Sequence, residues 1–380
     1  MLAKSNFDKT KLFFFAFSLI LAFSFIGIES VLGPALKALT IISFVLFGYL
    51  FFISLPKFKH IELFRIFLFL VLFFLISVNT KEYSLFKLML FLLAFKRVDF
   101  QLCIKYDVWL RLTLILVIYF LYSIGILQDV TGARGETTIR HSFGFTNPNA
   151  LALAVSIFCM EFMYVYNKNY IKTKCVFIFI VMFIATSVTD SRTSLYSVVF
   201  FMILFLVNTY MPILVQNKFF LRGVQFAPIL LSVMIIYMVQ AYSENPSSNT
   251  SVMYDELLSG RLDIAAAYYK LFEPALFGND LSANSFIDRS VDNFYVTMFL
   301  SSGIIVSICF FVAYWCLMNK LYKAREMNLI FIFLSFTIMG ISEKLWFFVD
   351  YNVLMMAFGM LLYSDMSLYS SRVNILSIKQ

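Results

Sequence analysis

The amino-acid sequence predicts an all-α protein: a polytopic membrane helical bundle of about twelve transmembrane helices, with one large extracytoplasmic loop between helices 9 and 10. Three observations predict it. Of 380 residues, 61% are hydrophobic and 14% charged, far from the balance of a soluble domain. Apolar runs of about twenty residues, long enough to cross a hydrocarbon layer as helices, recur from Leu12 almost to the C-terminus. The runs are continuously apolar and lack the alternation of a strand between lipid and lumen, so helices are preferred to a barrel.

The expected spans are 12–29, 35–54, 61–78, 83–96, 108–127, 149–166, 174–189, 194–214, 224–242, 294–317, 328–342 and 346–364. They divide the chain into an N-terminal membrane bundle (1–242), a large outer loop (243–293) and C-terminal helices with a cytoplasmic tail (294–380). The first span follows Lys4, Lys9 and Lys11 as a secretory signal would. No small-residue cleavage site comes before the next run, so it reads as a retained helix. The five cysteines, Cys103, Cys159, Cys175, Cys309 and Cys316, suggest neither a metal site nor a disulfide framework. The 48 phenylalanines are spread through all the spans and read as lipid-facing and packing material.

Charge orients the spans. With the N-terminus inside, the inner loops hold Lys57, Lys59, Lys96, Arg97, Lys105, Lys168, Lys172, Lys174, Lys218, Arg222, Lys320, Lys323 and Arg325. This positive-inside pattern places both termini in the cytoplasm. It accounts for the net charge of +8 through contact with anionic membrane lipid, with no call for nucleic acid. The outer side is relatively rich in arginine: Arg134, Arg140, Arg192, Arg261 and Arg289. Orientation does not require arginine over lysine, whereas bidentate recognition of phosphate or carboxylate does.

Outer connections are short except for two. In residues 243–292, SENPSSNTS reads as polar and turn-rich, Gly260 to Phe272 as a short amphipathic helix ending before Pro274, and FGND as a turn. Residues 128–148 carry Arg134, Glu136, Arg140 and His141 and end in Asn147-Pro148-Asn149. That triplet is a helix start, and it also turns free N–H groups toward the outer face, where an anion could sit. A third cluster is VTDSRTSL, where Asp190 and Arg192 form either an ion pair or part of a substrate site.

In order, GFTNPNALA (144–152), DSRTSL (190–195), SGRLDIAAAYYKLF (259–272), LFGND (276–280) and DNFYVTMFLSSGI (292–304) resemble the O-antigen polymerase (Wzy-type) branch of the O-antigen ligase and polymerase superfamily. The resemblance spans most of the chain. It implies a membrane glycosyltransferase at the outer face of the bacterial inner membrane that joins repeat units carried on undecaprenyl diphosphate. The growing chain would pass from its lipid diphosphate to a hydroxyl of a newly flipped unit, with inversion. It also leads us to expect a chain-length regulator and a flippase as partners.

A departing diphosphate needs positive charge rather than a general acid, and Arg192 and Arg261 are the first candidates, then Arg140 and Arg134. No acidic pair with metal-ligand spacing lies on the expected outer face, so a reaction without metal or other cofactor is expected. Relatives often carry His where this chain has Asp292, which is either the base or, with Asn293, a helix cap. His141, the one outer histidine, is a base or only a binding group. Asn147, Asn149, Asp280, Asp288, Asn293 and Tyr269 complete the candidates for sugar or phosphate contact. Two other readings stay open: a ligase moving finished chains to lipid A core, and a flippase or transporter. Ionisable residues concentrated at the outer ends, and not mid-span, argue against the transporter.

Overall fold

A computed structural model describes residues 2–26, 33–134, 138–167, 169–258, 260–283 and 291–363. It is helical almost throughout: α1 (Leu2–Ile26), α2 (Gly33–Phe52), α3 (His60–Thr80), α4 (Ser84–Ala94), α5 (Phe100–Ser123), α6 (Pro148–Val165), α7 (Ile171–Thr189), α8 (Arg192–Tyr210), α9 (Pro212–Val215) and α10 (Lys218–Glu244). Beyond these come α11 (Asn249–Leu257), α12 (Leu262–Leu271), α13 (Phe294–Thr297), α14 (Gly303–Lys323), α15 (Met327–Met339) and α16 (Gly359–Leu362). The described strands, β1 (Gly132–Arg134) and β2 (Thr138–Arg140), pair antiparallel between α5 and α6.

Among the described residues, eight helices are long and apolar enough to cross a membrane, which makes this a helical membrane protein. They are Asp8–Ile26 of α1, then α2, α3, α6, α7, α8, α10 and the continuous run Phe294–Lys323. Helix α5 has 24 residues and carries Lys105, Asp107 and Arg111 along its length. The last three pieces expected as spans are shorter. Helix α4 has 11 residues and α15 has 13, so α15 extends about 20 Å where the hydrocarbon layer is about 30 Å. The run expected at 346–364 breaks near Asn352, whose side chain accepts the Leu354 N–H and starts a 3-10 helix, Val353–Phe358, ahead of α16.

The chain forms two compact units, each discontinuous in sequence. One comprises residues 1–64, 90–202 and 349–380, the other 65–89 and 203–348. In the first, Phe13 sits among Phe47, Phe91 and Phe95, with ring centroids 5.1–5.7 Å away, so part of the phenylalanine content forms the core. One end of this unit is basic and polar: Lys9 donates to Ser54 Oγ, and the Asp99 N–H donates to Thr10 Oγ1. Lys96, in the turn between α4 and α5, is buried, 2.5 Å from Glu62 Oε2 and 4.2 Å above the Phe58 ring. At the opposite end Thr146 N–H reaches the Phe25 carbonyl and His141 N–H the Val188 carbonyl. The ends of α1, α5 and α7 and the start of α6 therefore meet around residues 129–149.

In the second unit Trp346 is fully buried, stacked on Phe333 and met edge-on by Phe310. Of SENPSSNTS (243–251), expected as polar turn, the last three residues open α11, where Ser248 Oγ accepts the Ser251 N–H as an N-cap. The helix expected from Gly260 to Phe272 is α12. Segment 275–279 and the start of α14 cross backbone to backbone: Asn279 N–H donates to the Leu300 carbonyl, and Ile304 N–H to the Ala275 carbonyl. A π-helical stretch, Met298–Ser302, widens the turn at this crossing. Gly278 and Gly303 both have positive φ, and a Cβ on Gly278 would lie 1.8 Å from the Ser301 carbonyl oxygen.

Candidate functional site

The densest polar constellation lies at the meeting of helix ends in the first unit. The β-ribbon folds residues 138–140 back beside 132–134, which returns His141 to Asp129, 12 positions earlier. His141 Nδ1 is 2.6 Å from Asp129 Oδ2. The other Asp129 oxygen accepts the N–H groups of Ser142 and Phe143 at 2.8 and 3.0 Å, and Ser142 Oγ accepts the Val130 N–H. Phe143, held at positive φ, stacks on the imidazole with centroids 5.7 Å apart and planes 12° from parallel. Partial burial works against ionisation of Asp129, but the hydrogen bonds from His141, Ser142 and Phe143 outweigh it and hold the carboxyl below its ordinary range. An imidazole bonded in this way presents its Nδ1–H to the carboxylate and keeps Nε2 as a base, and its side chain is 41% exposed.

Arg140, next to this pair, is anchored from behind. Its Nε donates to the Thr189 carbonyl at 2.5 Å and its Nη2 to Asn149 Oδ1. Asn149 thus positions an arginine, while Asn147 caps α6 by accepting the Ala150 N–H. Asp190 closes α7 at positive φ, and its Oδ1 is 3.3 Å from Arg192 Nε. The ion-pair reading of DSR therefore holds. The contact uses one nitrogen of a side chain that is 63% exposed, so Arg192 keeps its terminal nitrogens for another anion. Arg134 contributes backbone to β1.

The candidates in the second unit are more fully committed. Arg261 precedes α12, with Nη1 donating to the Ser342 carbonyl and Nη2 3.5 Å from Glu343 Oε1. Asp280 accepts Lys81 Nζ at 2.7 Å as well as the Ser282 N–H and hydroxyl. These bonds, from Lys81 first, hold it below the usual carboxylate range. Asn293, not Asp292, caps α13: it accepts the Val296 N–H and donates to the Ile341 carbonyl. Asp292 and Tyr269 are half-buried. Asp288 lies outside the described residues.

Two polar features were missed in the sequence. Asp129 carries no local signal, because only the ribbon brings it to His141. A cluster of Asp107, Arg111 and Glu161 lies fully buried between α5 and α6. Its signal was available: an i,i+4 Asp–Arg pair and a glutamate inside apolar runs. Arg111, midway along α5, departs from the expectation that ionisable residues concentrate at the outer ends and not mid-span.

The described residues contain no His, Cys, Asp and Glu group able to hold a metal ion. No protein-family model, curated protein or solved structure matches the chain.

Proposed function

We propose that this protein is a membrane glycosyltransferase that polymerises undecaprenyl-diphosphate-linked repeat units at the outer face of the bacterial inner membrane. The Asp129–His141 pair beside Arg140 and Arg192 carries the reading, since it places a base and anion-binding groups at one end of one unit. That end lies opposite the basic one around Lys9, the arrangement that the positive-inside rule favours for an extracytoplasmic site. The order of the motifs supplies the reaction.

In the proposed reaction His141 Nε2 takes the proton of an acceptor sugar hydroxyl, whose oxygen bonds to the donor's anomeric carbon. The bond from that carbon to the lipid diphosphate breaks, the diphosphate leaving with the electron pair. Asp129 holds the imidazole in the required tautomer and favours the imidazolium that forms. Arg192 and Arg140 meet the diphosphate charge. His141 replaces Asp292 as the proposed base, because its partner and exposure suit the role. Arg261 is assigned to holding α12 against the 342–343 turn.

The test is lipopolysaccharide banding in a host lacking the gene, complemented with wild type, His141→Ala or Arg192→Ala at matched membrane abundance. A ladder from wild type and only a single repeat unit on the core with the variants is the expected result; full ladders from both variants remove the site assignment. The buried Asp107–Arg111–Glu161 cluster favours a second reading, a flippase or transporter of the same anionic lipid-linked sugar. Loss even of the single unit with the variants would favour that reading or the ligase.

A further inference from the structure

Arg111 and Asp107 lie one turn apart on α5, with Arg111 Nε and Nη2 both 2.9 Å from Asp107 Oδ2. Nη2 also donates to the Tyr351 carbonyl at 2.6 Å. Glu161, near the end of α6, approaches the guanidinium only to 3.6 Å. All three side chains are 0% exposed.

The charges do not balance. Two carboxylates face one guanidinium, Asp107 at 2.9 Å and Glu161 at 3.6 Å. The other titratable groups on the same helices and the adjoining 350–351 turn are Cys103, Lys105, Tyr106, Tyr119 and Tyr122 on α5, Cys159 and Tyr164 on α6, and Asp350 and Tyr351; Asp99 caps the start of α5. Both carboxyl groups approach the same nitrogen, Arg111 Nε. Yet among the described residues Asp107 Oδ1 and both Glu161 oxygens have no hydrogen-bond partner, and the guanidinium's Nη1 reaches none of them. A buried carboxylate with no donor and a poorly placed cation is strongly disfavoured, and a net negative charge among apolar helices more so. One proton between the carboxyls supplies the missing donor and makes the cluster neutral.

We infer that Asp107 and Glu161 hold a resident proton beside Arg111, so that the helix pair α5–α6 contains a buried carboxylic acid at neutral pH. The acid resides on Glu161, because Asp107 accepts both guanidinium bonds. This site stands apart from the proposed glycosyl transfer and does not depend on it.

Infrared spectroscopy of the full chain in detergent at pH 7 tests the inference through the carbonyl stretch of a protonated acid, which shifts on transfer to deuterium oxide. Wild type should show the band. Glu161→Gln should lose it while unfolding within a few degrees of wild type, because the amide replaces a neutral group. Asp107→Asn should lose it too, since Glu161 then ionises as the partner of Arg111. That second variant keeps the test decisive where the first fails to fold. A wild-type protein without the band, or a band that persists in either folded variant, overturns the inference.

Discussion

The polar end of the first unit and the backbone crossing of the second each contain motifs of the polymerase resemblance, yet they use them differently. Beside Asp129 and His141 the motif residues Asn149 and Asp190 hold Arg140 and Arg192 in place, with exposed surface left over on Arg192. At 275–279 and 300–305 they bring two backbones into contact, with glycine where any side chain would collide. A short motif therefore marks either chemistry or close packing, and only the three-dimensional setting separates the two.

The contrast breaks first at Gly278. Gly278→Ala forces a Cβ into the Ser301 carbonyl at a positive-φ position, at a cost of about 3 kcal/mol or more. The measurement is membrane abundance and thermal unfolding in detergent: both should fall, while activity per remaining folded molecule is kept. His141→Ala should do the reverse, lowering polymerisation about 100-fold or more with abundance unchanged. Arg192→Ala should also spare the fold and lower turnover, by about 10-fold to 100-fold, and Arg192→Lys should rescue it only in part, because lysine lacks the planar fork.

A smaller effect tests the Asp129 network by pH. Asp129 has a depressed folded-state value, so the stability it contributes is fully present above the unfolded carboxylate value of about 3.9 and is lost as pH falls through the lower folded value. Asp129→Asn should flatten the acid limb of the unfolding curve below about pH 4 and leave the alkaline side unchanged. A variant whose acid limb matches wild type would remove the carboxylate from this network.

The helical membrane architecture was legible in the sequence because length and apolar continuity determine it. Depth was not: α4 and α15 are as apolar as full spans but short, α15 ending at the turn at Gly340, and the 346–364 run is interrupted at Asn352, which starts a new 3-10 helix. Lys96 looked like a loop cation, and only the approach of Glu62 from α3 shows it to be buried. In the site, the Asp190–Arg192 pair and the Asn147 cap could be read from local spacing. The partner of His141 could not, since a 12-residue separation carries no periodic signal. Asp107, Arg111 and Glu161 are charges in apolar runs that the sequence reading passed over, and their common burial depends on how α5 and α6 pack.

The central claim is that His141, oriented by Asp129, is the base of a sugar-polymerising site. The most direct measurement is polymerisation of purified lipid-diphosphate-linked repeat units by the reconstituted protein, comparing wild type, His141→Ala and Asp292→Ala. The account predicts elongation by wild type and Asp292→Ala, with His141→Ala folded but unable to elongate. Elongation by His141→Ala at the wild-type rate, with Asp292→Ala inactive, would contradict it.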